Sequence, residues 1–166
     1  MILYRVKQFY WGINSKVSKE DKDFINKYLD KDELNLFNKL KVYDQTHSIR
    51  TARDVKAAYS DYNIEIEEYT FVKVALLHDI GKIEKSLNLI EKSIIVLLDK
   101  FTKGKIKNFS KSKKIDIYYN HGEKGYDILK NYIDNKKILD LIRNHHSSDI
   151  KYDKELEILK MCDSKN

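Results

Sequence analysis

The stretch Glu65–Lys82, EIEEYTFVKVALLHDIGK, decides how the chain reads. Phe71, Val72, Ala75, Leu76 and Leu77 are apolar almost all the way round a helical turn, the pattern of a central helix buried on every side. His78 and Asp79 stand at its end. A carboxylate beside an imidazole behind buried residues costs free energy unless something balances the charge. A divalent cation does so well, because both groups are its natural ligands. The dipeptide alone fits at least as readily a capped helix end closed by a hydrogen-bonded His–Asp pair.

Outward from this stretch the same periodicity recurs. His47, Thr51, Val55 and Ala58 share a face at spacings of three and four, which predicts a helix over Tyr43–Tyr59. Leu87, Ile90, Ile94, Ile95, Leu97 and Leu98 predict another over Ile83–Phe101. Further helices are expected at His121–Ile133, Asn135–His145 and Lys154–Asp163. Towards the N-terminus, Ser18 with Asp21 reads as a capping signal for a helix to about Leu29. Asp32 reads as the start of a short helix carrying Leu34, Leu36, Phe37 and Leu40. Ile2, Val6, Phe9 and Tyr10 predict a peripheral helix over Met1–Ile13. No segment alternates with a period of two, so the expected class is all-α.

Composition agrees. The chain has 166 residues, no proline and five glycines, which favours long helices with short connections over a turn-rich sheet protein. Hydrophobic residues make up 42% and charged residues 35%, the mix of a globular domain with a real core. Arg5 and Lys7 interrupt the apolar N-terminus, and Lys73–Ile80 is far shorter than the roughly 20 residues of a membrane span. No signal peptide or membrane helix is expected. The single cysteine, Cys162, forms no internal disulfide and fits a cytoplasmic location. The net charge is +6, and much of the excess sits in Lys100–Lys114, a stretch that reads most simply as a solvated basic loop. Such charge also attracts polyphosphates, but the tyrosines are not grouped in a basic stripe, so nucleic acid is not an expected partner.

The histidines change the weight of His78-Asp79. There are five, His47, His78, His121, His145 and His146, each at an expected helix end or on an apolar face. Asp163 ends an apolar-periodic helix in the same way. In this order, with His78-Asp79-Ile80-Gly81-Lys82 as its HDIG signature, the sequence resembles the HD superfamily of metal-dependent phosphohydrolases. The likeness runs from about Tyr43 to the C-terminus. His121-Gly122 followed by Gly125, and Ile142 three residues before His145, belong to it. It divides the chain into an N-terminal helical extension, 1–40, serving as a lid, a dimer face or a structural addition, and an HD domain, 41–166. The fold it implies is a single-domain helical bundle with a metal site in the core cleft.

Carried over position by position, the resemblance implies that His47, His78, Asp79 and Asp163 hold a first metal. His121 and His145 then add a second, with Asp79 bridging the two. His146 replaces His145 or lies behind it; the spacing from Ile142 favours His145. The implied cofactor is a divalent transition metal, binuclear, with Fe, Mn, Ni, Co and Zn all compatible with mixed N/O ligands. Two cations roughly 3.5–4 Å apart lower the pKa of a bridging water and clamp phosphoryl oxygens, so the hydroxide itself is the nucleophile. Asp79 and Lys82 are the catalytic candidates, with Lys82 on the phosphate. Arg50, Arg53 and Arg143 are candidate substrate ligands, because guanidinium binds phosphate through paired donors. Asn144 and Ser147 flank the histidine pair.

The implied reaction is hydrolysis of a phosphomonoester or phosphodiester, with a nucleotide or dinucleotide as the small-molecule partner and no membrane. A cyclic-dinucleotide diesterase of the HD-GYP branch is disfavoured, because no Gly-Tyr-Pro follows the signature. The alternative is a catalytically silent regulatory HD protein that binds metal or nucleotide.

Overall fold

The computed structural model describes residues 15–108, 112–147, 150 and 153–166. The helix expected over 1–13 lies outside the described residues. Among the described residues the fold is all-α, with eight helices: α1 Lys19–Tyr28, α2 Lys31–Phe37, α3 Val42–Ala58, α4 Glu68–Leu77, α5 Leu89–Thr102, α6 Lys113–Leu129, α7 Lys136–Asn144 and α8 Lys154–Lys165. Short 3-10 turns at Tyr59–Asp61, Ile80–Glu84 and Lys105–Asn108 join some of them.

Local chemistry sets several boundaries. Ser18 caps α1 and Asp21 answers with a bond to the Ser18 amide, the reciprocal box its sequence predicts. α2 starts one cap earlier than expected. Asp30 accepts from the amides of Asp32 and Glu33, so Asp32 sits inside the first turn. The helix expected over Ile83–Phe101 is interrupted: residues 80–84 tighten into a 3-10 turn, and Asn88 then caps α5 with Glu91 closing the box. α6 begins eight residues before the expected His121, so Lys113 and Lys114 are helical and not loop. Lysine is a good helix former, and Ile117, His121 and Gly125 extend one buried face back through this segment.

α4 is the hub. It packs against α1, α3 and α7, while α8 lies on α3 and α7. Phe71, Val72, Val74, Ala75, Leu76 and Leu77 are all fully buried. The one break in that surface, Lys73, is matched by the buried Glu33 of α2 at 2.8 Å. Ile25, Tyr28, Leu36 and Phe37 from within the 1–40 segment join the same core. α5 stands apart, over a small separate cluster of Leu87, Ile95 and Ile117.

Glycines let the remaining pieces meet. A Cβ at Gly81 would strike the backbone of His121 and Gly125, and one at Gly122 would lie 2.5 Å from the Arg143 carbonyl. The turn after α4 and the end of α7 therefore touch the α6 backbone directly. That contact brings His121 to His78-Asp79 on one side and to His145 on the other. No helix among the described residues is long and apolar enough to cross a membrane.

Candidate metal centre

Five separate helices and their ends deliver the cluster. His47 comes from mid-α3, His78 caps the end of α4, and Asp79 is the next residue. His121 lies in α6, His145 and His146 follow α7, and Asp163 is in the last turn of α8. Asp79, with φ −96° and ψ 7°, occupies the bridge region where active-site residues commonly sit. His78, Asp79 and His145 have no exposed surface.

The backbone orients three of the rings. His78 Nδ1 lies 2.7 Å from the Ala75 carbonyl, and His145 Nδ1 lies 2.7 Å from that of Ile142. His121 Nδ1 is 3.0 Å from the Ile117 carbonyl. A carbonyl only accepts, so Nδ1 carries the proton in each ring and Nε2 is turned into the cluster. This is the arrangement that a second partner imposes on metal-binding histidine.

The Nε2 atoms sort themselves around the two oxygens of Asp79. His121 Nε2 is 3.2 Å and His145 Nε2 3.8 Å from Oδ1, whereas His78 Nε2 is 3.5 Å and His47 Nε2 3.7 Å from Oδ2. Asp163 Oδ1 lies 2.8 Å from His47 and 3.5 Å from His78. Two groups result, Asp79 with His121, His145 and His146, and His47 with His78 and Asp163. Asp79 lies between them. His146 joins His145 and is not excluded by it: the two rings are 4.1 Å apart, with His146 half-exposed and its Nδ1 3.9 Å from Asp163.

Two observations test whether a cation fits. His78 Nε2 and Asp79 Oδ1 are buried without a hydrogen-bond partner, a costly arrangement for atoms with lone pairs. His121 Nε2 and His145 Nε2 face each other at 3.2 Å, although both rings keep their proton on the far nitrogen. Lone pairs at that separation repel unless an electrophile lies near both. The donor set of imidazoles and carboxylates suits a divalent transition ion.

Charge is arranged to match. Burial alone raises the Asp79 pKa, but the Lys82 ammonium and the nearby imidazoles overcome it and hold the carboxyl well below the usual range. Asp163 is likewise raised by burial and brought well below its usual value by His47 and His78. Burial, then the neighbouring histidines, keep His145 neutral by pushing its pKa well down. Burial lowers His78 too, yet Asp79 and Asp163 prevail and raise it. Two ionised carboxylates thus stand among imidazole nitrogens, a donor set that takes a cation.

The cluster opens into a cleft of about 1090 Å³. Lys82 lines it, 2.5 Å from Asp79 Oδ2 and 4.0 Å from Asp44. The arginines are placed otherwise than their sequence positions suggest. Arg53 pairs with Asp21 at 2.9 Å and lies over the Phe24 ring, away from the cleft. Arg50 is half-buried and does not line the cleft. Arg143 borders it, but its guanidinium is held by Glu123 at 2.6 and 2.8 Å and stacks over Tyr126. Asn144 is bound to the Asp140 carbonyl, whereas Ser147 lines the cleft.

Sequence reasoning missed Asp44, Lys92 and Lys160, all of which line the cleft. Asp44 is buried one turn before His47, and Lys160 lies one turn before Asp163 and donates to the Ser147 carbonyl. The spacing of three residues from a ligand is a signal that finds both. Nothing in sequence points to Lys92, which tertiary packing of α5 brings in.

No curated protein and no solved structure matches the chain. The model of the HD domain matches residues 45–165, a span that contains every histidine of the cluster together with Asp79 and Asp163. With that span covering most of its length, the chain belongs to the HD domain family.

Proposed function

We propose that the protein is a metal-dependent phosphohydrolase acting on a phosphate ester, with a nucleotide or dinucleotide as substrate. The supporting observation is the division of Nε2 atoms between the two oxygens of one buried aspartate, which suits two cations bridged by Asp79. His47, His78 and Asp163 take one position; His121, His145 and His146 take the other. Divalent ions bound there would neutralise phosphoryl oxygens and acidify a water for attack on phosphorus.

The chain's own groups supply the rest. Asp79 stays ionised, with Oδ1 unpartnered and Oδ2 taken by the Lys82 ammonium. The Nδ1–carbonyl bonds fix three rings before any ligand arrives, so little reorganisation is needed. Lys82 remains an ammonium: burial opposes its charge, but Asp79 and Asp44 raise its pKa. It is placed to donate to a phosphoryl oxygen at the cluster's edge. The cleft is large enough for a nucleotide, whose pockets span roughly 300–1,000 Å³.

The test is metal content and a panel of nucleotides and phosphodiesters assayed with added Mn or Fe. Two ions per chain are expected, falling to about one in His121→Ala. In Asp79→Asn turnover is expected to fall by about 1000-fold or more, the scale of several kcal/mol that cations supply. Metal-free protein, or turnover indifferent to Asp79→Asn, overturns the proposal. Stoichiometric metal without turnover on the whole panel points instead to a silent regulatory HD protein.

A further inference from the structure

The cleft extends beyond the cluster's own residues. Besides the His/Asp cluster it is lined by α5, one side of which brings Lys92, Val96 and Asp99 to it. Asp99 is already engaged by the Tyr119 hydroxyl. Lys92 is half-buried, and among the described residues its ammonium has no hydrogen bond and no ion pair within 4.0 Å. The Lys82 ammonium, then burial, lower its pKa, against the opposing pull of Asp44, Asp79 and Asp163. A partly desolvated cation in the same cleft as a like charge is costly. An anion between the two relieves both, and each ammonium has three donors to give it. A solvent-seeking lysine normally carries its charge outwards along an apolar stem. Lys92 instead carries it into the same space as Lys82 and the cluster.

We propose that Lys92 and Lys82 form an anion subsite beside the metal cluster, so that the preferred ligand carries a second phosphate linked directly to the one held at the cluster. This rests on the reading of the cluster as a phosphate site. Lys82 is held by Asp79 at the cluster and lines the same cleft as Lys92. Lys92 selects for the second phosphate and has no role towards the first. Lys85 and Lys107, both exposed, add positive charge to the lining of the cleft. A phosphomonoester lacking a second phosphate uses only the cluster and Lys82. A ligand with consecutive phosphates uses both lysines.

The experiment is calorimetric binding of two inorganic probes to manganese-loaded protein. They are orthophosphate and imidodiphosphate, whose P–N–P bridge resists hydrolysis. Lys92→Gln is expected to weaken imidodiphosphate about 10- to 100-fold, the worth of a hydrogen bond to a charged group, and orthophosphate less than about threefold. Lys92→Arg is expected to keep imidodiphosphate within about threefold, because it restores the charge. Lys100→Gln, an exposed lysine of the same helix outside the cleft, makes the same change in net charge and should alter neither probe. Lys92→Met serves as a second neutral variant, and thermal melting confirms that each variant is folded. An imidodiphosphate loss below threefold overturns the proposal, as do equal losses of both probes or an equal loss in Lys100→Gln. Binding needs no turnover, so the two readings fail separately. A protein that cleaves no ester yet shows the Lys92 selectivity loses only the hydrolase reading. An active enzyme indifferent to Lys92→Gln loses only the subsite.

Discussion

α4 and α5 carry similar apolar runs, yet the structure treats them in opposite ways. α4 buries Phe71, Val72, Val74, Ala75, Leu76 and Leu77 completely, between α1, α3 and α7. α5 leaves Ile90, Ile94, Leu97, Leu98 and Phe101 exposed, and meets only α6 and the 3-10 turn 105–108 to any extent. Part of the difference is in the sequence, since α4 is apolar almost all round whereas α5 carries Glu91, Lys92, Asp99 and Lys100; the rest lies in the number of neighbours. It divides the site as well. The candidate metal ligands hang from the densely packed side, at the end of α4 and on the elements locked to it. α5 forms one wall of the cleft and carries Lys92 but no candidate ligand. Precision is needed where a ligand must sit within a fraction of an ångström, and that is where packing is closest.

The contrast can be broken most severely at Gly81. Alanine there drives a methyl into the His121 carbonyl and the Gly125 amide, which are backbone and cannot rotate away. Either the turn after α4 or the whole of α6 must shift. Overpacking of this kind is expected to cost about 3 kcal/mol or more, at the upper end for single substitutions. It should also separate His121 from Asp79, lowering metal content to about one ion per chain in whatever protein remains folded. Urea unfolding together with metal analysis checks both. A Gly81→Ala protein of wild-type stability with two ions would mean that the α6 contact is not tight.

A smaller effect is expected at Leu76, fully buried in mid-α4. Leu76→Ala removes three heavy atoms from a site with no room to collapse cheaply, at a cost of about 2–5 kcal/mol by urea or thermal unfolding. The ligands at the helix end should keep their arrangement, so metal per chain stays unchanged under conditions where the variant is folded. This separates stability from site geometry, which Gly81→Ala disturbs together.

The comparison also explains what could be read without coordinates. The all-α class was legible because spacings of three and four recur from Ser18 to Asp163, and the capping box at Ser18 fixed one boundary. The start of α6 was hidden because Lys113 and Lys114 look like loop by charge although lysine favours helix. The break before α5 was hidden because Leu87 continues the apolar period across it, while Asn88 acts as a cap. In the site, His47, His78, Asp79, His121, His145, His146 and Asp163 were recognisable because their order along the chain resembles that of the HD superfamily, and the fold brings them together. Arg50, Arg53 and Arg143 were not placeable, because nearness in sequence does not aim a guanidinium: Asp21 and Glu123 claim two of them. Lys92 was invisible, since its role depends on which face α5 turns to the cleft.

The least effect is expected on the outer face of α5, and it sharpens the comparison most directly. Leu97 is 55% and Phe101 77% exposed, so truncation to alanine loses little burial and leaves no cavity. Alanine is also the best helix former, which offsets part of what contact remains. Leu97→Ala and Phe101→Ala are each expected to stay within about 0.5 kcal/mol of wild type in urea unfolding, as surface substitutions generally do. Metal content and turnover should be unchanged, because neither side chain lines the cleft. The same leucine-to-alanine change thus separates two apolar helices by several-fold in cost, according to how many elements surround each. A loss at Leu97 as large as that at Leu76 would show that α5 is covered in solution, and the distinction between a packed floor and an open wall would fall with it.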